Sequence, residues 1–313
     1  MTAQIWIDET RDLLLTDYVE ETCELAGAVS DTSTQTVSLV TPGASPASVV
    51  AGVVPGATIE VGTELMYVYS VTNAGLAYVS RGYRGSTAAT HSSGAVVTVN
   101  PKIPAYRILK ALNDDMADLS SPQNGLFQVA TVEVTFDAAV DGYNLTDVTA
   151  DILEIHEVTY TDPGSEKSEP KVDSWSLRRN RDTADFASGY ALVLHDEAYP
   201  GNPVRVTYKA GFTSLASASA ALSTTGLHAE AYDLPPLGAA LKLMSTRPIR
   251  REFIDEQGSS RRAEEVPSGG VSASMRDLRA QRASRLNAEA TRLDAKYPTF
   301  WMRSRGGGIG RGV

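Results

Sequence analysis

The residue types that could do chemistry are few and scattered. Four histidines, His91, His156, His195 and His228, are the candidate ligands or acid/base groups. None stands in a Cys/His pattern or in the His-x3-His spacing that zinc requires. His156 lies between Glu154 and Glu157 on an expected strand and reads as an edge residue. His195 is followed by Asp196 and Glu197 and would be half of a dyad, but no Gly-x-Ser-x-Gly turn supplies a nucleophile. Gly82-Tyr-Arg-Gly85-Ser-Thr lacks the lysine of a phosphate loop and leads to a strand, so it reads as a hairpin loop. The single cysteine, Cys23, sits beside Glu21 and Glu24, whose charges raise a thiol pKa and favour a structural role. Asp137, Asp141, Asn144, Asp147 and Asp151 cluster in an expected loop. Hard oxygen ligands at that spacing suit Ca²⁺, but their order is not that of an EF-hand, and Asp and Asn serve turns equally well. The residues therefore assign no catalytic group, no cofactor and no metal, and the expectation is a protein that is not an enzyme.

One charge feature stands out. The net charge is -10, yet residues 1–233 hold 13 Lys+Arg against 30 Asp+Glu, while residues 234–313 hold 15 against 8. A basic end on an acidic body suits docking to an acidic partner, and the body would repel nucleic acid. Within that end, Arg276, Arg279, Arg282 and Arg285 crowd the edges of a helical stripe formed by Met275, Leu278, Leu286, Ala290, Leu293 and Tyr297. Arg279 and Arg282 fall on its apolar side. Phe300, Trp301 and Met302, followed by Arg303 and Arg305, add interface-type side chains in a Gly-rich tail. These nine residues, the four helical arginines and the five tail side chains, are the candidate partner interface.

The elements that must position them follow from periodicity. Asp8 to Ala26 reads as a helix capped by Asp8, and Tyr106 to Leu119 as another, with Ile108, Leu109, Leu112, Met116 and Leu119 on one face. A third helix begins at Pro235-Pro236, and a fourth runs to Tyr297, with Pro298 as its stop. Five short strands with Pro-Gly, Asn-Ala-Gly and Ser-Gly turns fill residues 28–101, and five alternating segments fill 126–212. The expected fold is α+β. A helical-bundle frame (1–27, 102–125 and 230–298) is interrupted by a small β-barrel or sandwich (28–101) and by an antiparallel, jelly-roll-like sandwich (126–212). Residues 213–229 form a linker, and 299–313 form a flexible docking tail. No window reaches 18 apolar residues, and the first residues carry no basic, apolar leader pattern, so neither a membrane span nor a signal peptide is expected.

At this point the chain resembles a family. Gly62-Thr-Glu-Leu-Met-Tyr-Val, with Val79-Ser-Arg-Gly-Tyr-Arg-Gly-Ser-Thr-Ala-Ala-Thr-His-Ser-Ser-Gly-Ala-Val-Val97, is similar to a β module recurrent in structural proteins of tailed bacteriophages. Asp233-Leu-Pro-Pro-Leu-Gly-Ala-Ala-Leu, Arg250-Arg-Glu-Phe, Arg261-Arg-Ala-Glu-Glu-Val-Pro and Ser274-Met-Arg-Asp-Leu-Arg-Ala-Gln-Arg resemble head-to-tail adaptor (connector) proteins of siphophages infecting actinobacteria. The resemblance implies a virion neck protein assembled in the host cytoplasm. It would form a homo-oligomeric ring, of twelve copies, beneath the portal protein and pass the joint to a stopper or tail-completion protein. Double-stranded DNA would cross the lumen without specific binding. Arg276 to Tyr297 and the Phe300–Arg305 tail would face the portal. A tail or baseplate module that binds a host surface ligand is the alternative reading.

Overall fold

The computed structural model describes residues 1–15, 20–42, 50–137, 139–140, 142–146, 148, 152–161, 169–195, 201–246 and 270–298. The chain divides into two compact units. Unit 1 comprises Met1–Ser121 and Phe212–Arg285, and unit 2 comprises Pro122–Gly211 and Leu286–Val313.

Unit 1 begins with α1 (Ala3–Leu14), which buries Ala3, Trp6, Ile7 and Thr10 along one face. Six strands follow: β1 (Glu21–Leu25), β2 (Thr36–Val40), β3 (Thr58–Val61), β4 (Glu64–Val71), β5 (Leu76–Ser80) and β6 (Val96–Val99). They close into an antiparallel barrel in the order β1-β2-β5-β4-β3-β6, with β6 returning to β1. Alternation explains the core: Cys23 and Leu25, Val37 and Leu39, and Val97 and Val99 point inward with period two. Closure leaves no open strand edge. Then come α2 (Ala105–Leu119), α3 (Leu234–Thr246) and the longer α4 (Gly270–Lys296). All five apolar residues expected on the α2 face are buried. Helices α1, α2 and α3 pack on one another, with Trp6 edge-on to Tyr232 at a ring distance of 5.5 Å.

Unit 2 is a sandwich. Strands β7 (Gln128–Thr135), β8 (Tyr143–Asn144), β9 (Ile152–Tyr160), β10 (Trp175–Arg178), β11 (Ala191–Leu194) and β12 (Pro203–Ala210) form two antiparallel sheets, β7-β12-β9 and β10-β11-β8. Val132, Ile155, Val158, Val204, Val206 and Tyr208 from one sheet share a core with Tyr143 and Leu192 from the other. The last three turns of α4, from Leu286, belong here, and Tyr297, just past the helix end, stands edge-on to Phe127 and to His156.

Two expectations about the architecture are corrected. The helical-bundle frame with β insertions is not what the chain builds. The fold is mostly β, and its largest assembly is a closed barrel whose first strand lies inside the segment expected as helix. The helix expected from Asp8 to Ala26 begins instead at Ala3, places Asp8 in its interior and ends at Leu14. Residues 21–25 then pair with both β2 and β6. Cys23 and Leu25, two residues apart, bury on one side of that strand, and no helical face accommodates that spacing. The second β region, expected as a jelly-roll-like sandwich, shows six strands in two three-stranded antiparallel sheets among the described residues, against the eight of a full jelly roll.

The barrel anchors the helices through Glu60 of β3. Its carboxylate, almost fully buried, accepts from the Arg11 guanidinium of α1 and from the Ala105 backbone N–H at the start of α2. A carboxylate there satisfies one of the donors that a helix start leaves unpaired and suits the positive end of the helix dipole. Burial nonetheless pushes the Glu60 carboxyl above its ordinary pKa, against the pull of Arg11.

Candidate partner interface

The motif that carries the phage-module resemblance proves to be one bonded cluster. Glu64, at the start of β4, is fully buried. Its Oε1 accepts from Arg81 Nε at 2.6 Å and its Oε2 from Arg81 Nη2 at 2.8 Å. His91 Nε2 lies 2.8 Å from Oε2, and the backbone N–H groups of Gly82 and Ala89 donate at 3.2 and 3.0 Å. Arg81 also donates to the carbonyls of Asp31, Thr34 and Ala89. Burial raises the Glu64 pKa, but the donors from His91, Arg81 and Ala89 outweigh it and leave the carboxyl at about 2. The loop from 81 to 91 is thereby tied to the barrel. Gly82 takes a left-handed conformation (φ 61°), and a Cβ there would meet the Ser86 carbonyl oxygen at 3.0 Å. Sequence spacing alone does not reveal Glu64, because its partners lie 17 and 27 residues away.

The four candidate arginines of α4 divide into two groups. Arg282 and Arg285 turn inward, within unit 1. Arg282 Nη2 meets Asp115 Oδ1 at 2.6 Å and Asp118 Oδ2 at 3.1 Å. Arg285 makes a two-point contact with Asp233 at 2.7 and 3.0 Å and donates to the Glu230 carbonyl. Both clip α4 onto α2 and onto the turn before α3. Arg276 and Arg279 are exposed. Phe300, Trp301, Met302, Arg303 and Arg305 lie outside the described residues.

A second basic surface was not expected from the sequence. A cleft of about 410 Å³ opens in unit 1 between the turn at Tyr83–Gly85, α2 and α3. Ile103 and Leu243 line its apolar part, and Arg84, Arg107, Lys110 and Lys242 its charged part. Its one carboxylate, Asp114, is taken by Lys242. Arg107 and Lys110 are exposed and three residues apart on α2, a spacing that puts them on one face and is visible in the sequence.

No family model matches this chain, and no curated protein matches it. Its chemistry therefore rests on geometry. His195 Nε2 lies 3.2 Å from Ser176 Oγ across β10 and β11, and the pair is exposed. Among the described residues no carboxylate contacts the other ring nitrogen of His195, which a Ser-His nucleophile system needs for orientation. His156 stacks edge-on against Tyr297. Burial, aided by Glu21 and Glu24, pushes the Cys23 thiol to about 11, so it is a buried apolar group rather than a thiolate. Among the described residues no cluster of three His, Cys, Asp or Glu side chains is placed to hold a metal. Asp141, Asp147 and Asp151 of the acidic loop lie outside the described residues. Among the described residues no helix is long and apolar enough to cross a membrane.

Proposed function

We propose that this chain is a structural virion subunit, a head-to-tail adaptor. It forms a ring below the portal, joins the capsid vertex to the tail and lets DNA pass. The helical frame expected for it is absent from the described residues and lends it no support. The reading is supported chiefly by the use the fold makes of the resembling residues. Glu64, Arg81 and His91 of the phage-type module bind one another. Asp233, which opens the adaptor-like Asp233-Leu-Pro-Pro stretch, and Arg282, which closes the Ser274–Arg282 stretch, anchor α4 to the rest of unit 1. These polar groups are thus engaged in joining elements. The acidic body suits a channel wall along which DNA slides, since like charge repels the phosphate backbone.

Electron microscopy of the full chain, alone and with the portal protein, tests this. Rings with a central opening are the expected result, and particles that stay single in both samples overturn the reading. Ending the chain after Tyr297 is expected to weaken portal binding by at least tenfold, the effect of losing a cluster of aromatic and arginine anchors. An undiminished affinity would remove Phe300–Arg305 from the docking surface.

A further inference from the structure

We infer that unit 1 carries both halves of a contact between copies of this chain: the Ile5, Asp8, Glu9 and Asp12 face of α1 in one copy seats in the Arg84, Arg107 and Lys110 cleft of the next. This deepens the ring reading above and rests on it.

The cleft is a place where positive charge gathers without an internal answer. Among the described residues, Arg107 and Lys110 form no ion pair, although the whole chain is acidic. Arg84 is held there against its own backbone preference. It is a non-glycine residue at φ 55°, and the Tyr106 hydroxyl donates to its carbonyl at 3.0 Å. A left-handed conformation is costly for a residue with a Cβ. Strain of that kind is kept where the side chain is needed in one position. The apolar floor, Ile103 and Leu243, asks for a ligand that is not purely ionic.

The outer face of α1 has the complementary character. Ile5, Asp8, Glu9 and Asp12 follow the i, i+3, i+4, i+7 spacing of a single helix face. All four are exposed, Ile5 by 47%. The opposite face, with Trp6 and Ile7, is buried, so a partner can engage the exposed side without disturbing the core. Partial burial and repulsion from Asp233 and Asp12 raise the Glu9 carboxyl above its ordinary range, so negative charge is concentrated on this face. One apolar side chain with carboxylates around it matches an apolar floor with cations at its rim, in the manner of a helix laid in a groove.

The two surfaces are different regions of one unit, so the contact is head-to-tail. Repetition of such a contact closes a ring or extends a filament. Two copies with a net charge of -10 repel each other, and local pairing of opposite charges is a direct way to overcome that.

The test is a charge swap in the full chain, read by sedimentation velocity at low salt. Arg107→Glu with Lys110→Glu, and separately Asp8→Lys with Glu9→Lys, are each expected to weaken association by tenfold or more, the scale for like charges brought together at an interface. Combining all four substitutions is expected to restore association to within a few-fold of the wild type. Circular dichroism melts confirm that each variant folds; for a pair that fails to fold, the single substitutions Lys110→Glu and Asp8→Lys take its place. If the one-sided variants assemble like the wild type, or the folded four-fold variant does not recover, the contact lies elsewhere and the ring reading stands. If the wild type stays monomeric with and without portal, both fall. If the monomeric wild type retains a short DNA duplex that Arg107→Glu with Lys110→Glu loses, the cleft serves phosphodiesters and the inference is overturned.

Discussion

Replacing Glu64 by alanine is expected to destabilise the chain by about 3–5 kcal/mol, the usual cost of removing one member of a buried, hydrogen-bonded ion pair. The size follows from what stays behind. Arg81 and His91 are almost completely enclosed, with side chains 6% and 9% exposed. Without the carboxylate they must share burial with no anion, and the N–H groups of Gly82 and Ala89 lose their acceptor. Glutamine is expected to do little better. Its amide presents donors where Arg81, His91 and two backbone N–H groups already donate, so one side of the site opposes donor to donor. Lysine at Arg81 is also damaging, because it cannot reproduce the two-point fork. The same carboxylate sets a pH dependence. Its folded value of about 2 lies below its ordinary 4.5. Its contribution is therefore complete above pH 4.5 and is lost as the pH falls toward 2, and it amounts to about 3 kcal/mol. Urea unfolding of wild type and Glu64→Gln between pH 2 and 6 measures it. Curves for the two proteins that run parallel across that range, or a loss below about 1 kcal/mol at pH 6, would show that the cluster is not a stabilising centre.

What the sequence made legible divides by the range of the interaction. Strands β2 and β5 alternate, and β4 is a run of apolar and aromatic residues between Gly62 and the Asn73-Ala-Gly75 turn, so their extents are readable from neighbours alone. The buried face of α2 was readable for the same reason. Strand β1 was not. Its residues, Glu-Thr-Cys-Glu-Leu, include helix formers beside an acidic run, and it is pairing with β2 and with β6, the latter more than 70 residues on, that makes them extended. Strand β8 is two residues long and has no periodicity to detect. The candidate site divides likewise. The excess of arginine in α4 was visible as composition. That Arg282 and Arg285 face inward depends on Asp115 and Asp233, 167 and 52 residues away, which no local pattern encodes. Two residues nonetheless stand out from their neighbours. Glu64 is a charge opening a strand of apolar neighbours, and Gly238 interrupts an otherwise apolar helix.

Gly238 yields the second large expected effect. Alanine normally improves a helix interior over glycine by about 1 kcal/mol. In α3 the reverse is expected, a loss of about 2 kcal/mol or more, because a Cβ at this position would lie 1.8 Å from Asp115 Oδ1. Asp115 has little room to yield, since it is buried and bonded to Arg282. The clash would therefore pass into the contact that holds α4 on α2. Removing Asp115 should reverse the sign: in an Asp115→Ala background, Gly238→Ala is expected to be neutral or stabilising. That double-mutant cycle separates the steric account from a general intolerance of α3, since a loss of equal size in both backgrounds would exclude Asp115 as the cause. The carboxyl adds a pH signature opposite to that of Glu64. Burial raises Asp115 from 3.8 to about 7, with Asp118 adding repulsion and Arg282 and Lys242 only partly offsetting it. A folded value above the ordinary one means that its contribution is complete below pH 3.8 and is lost as the pH rises through 7. Asp115→Asn should flatten the decline of stability between about pH 4 and 7, while Glu64→Gln leaves that decline in place. Thermal unfolding of the two variants across that range reads the difference directly, and an unchanged slope in Asp115→Asn would mean that Arg282 keeps Asp115 ionised throughout.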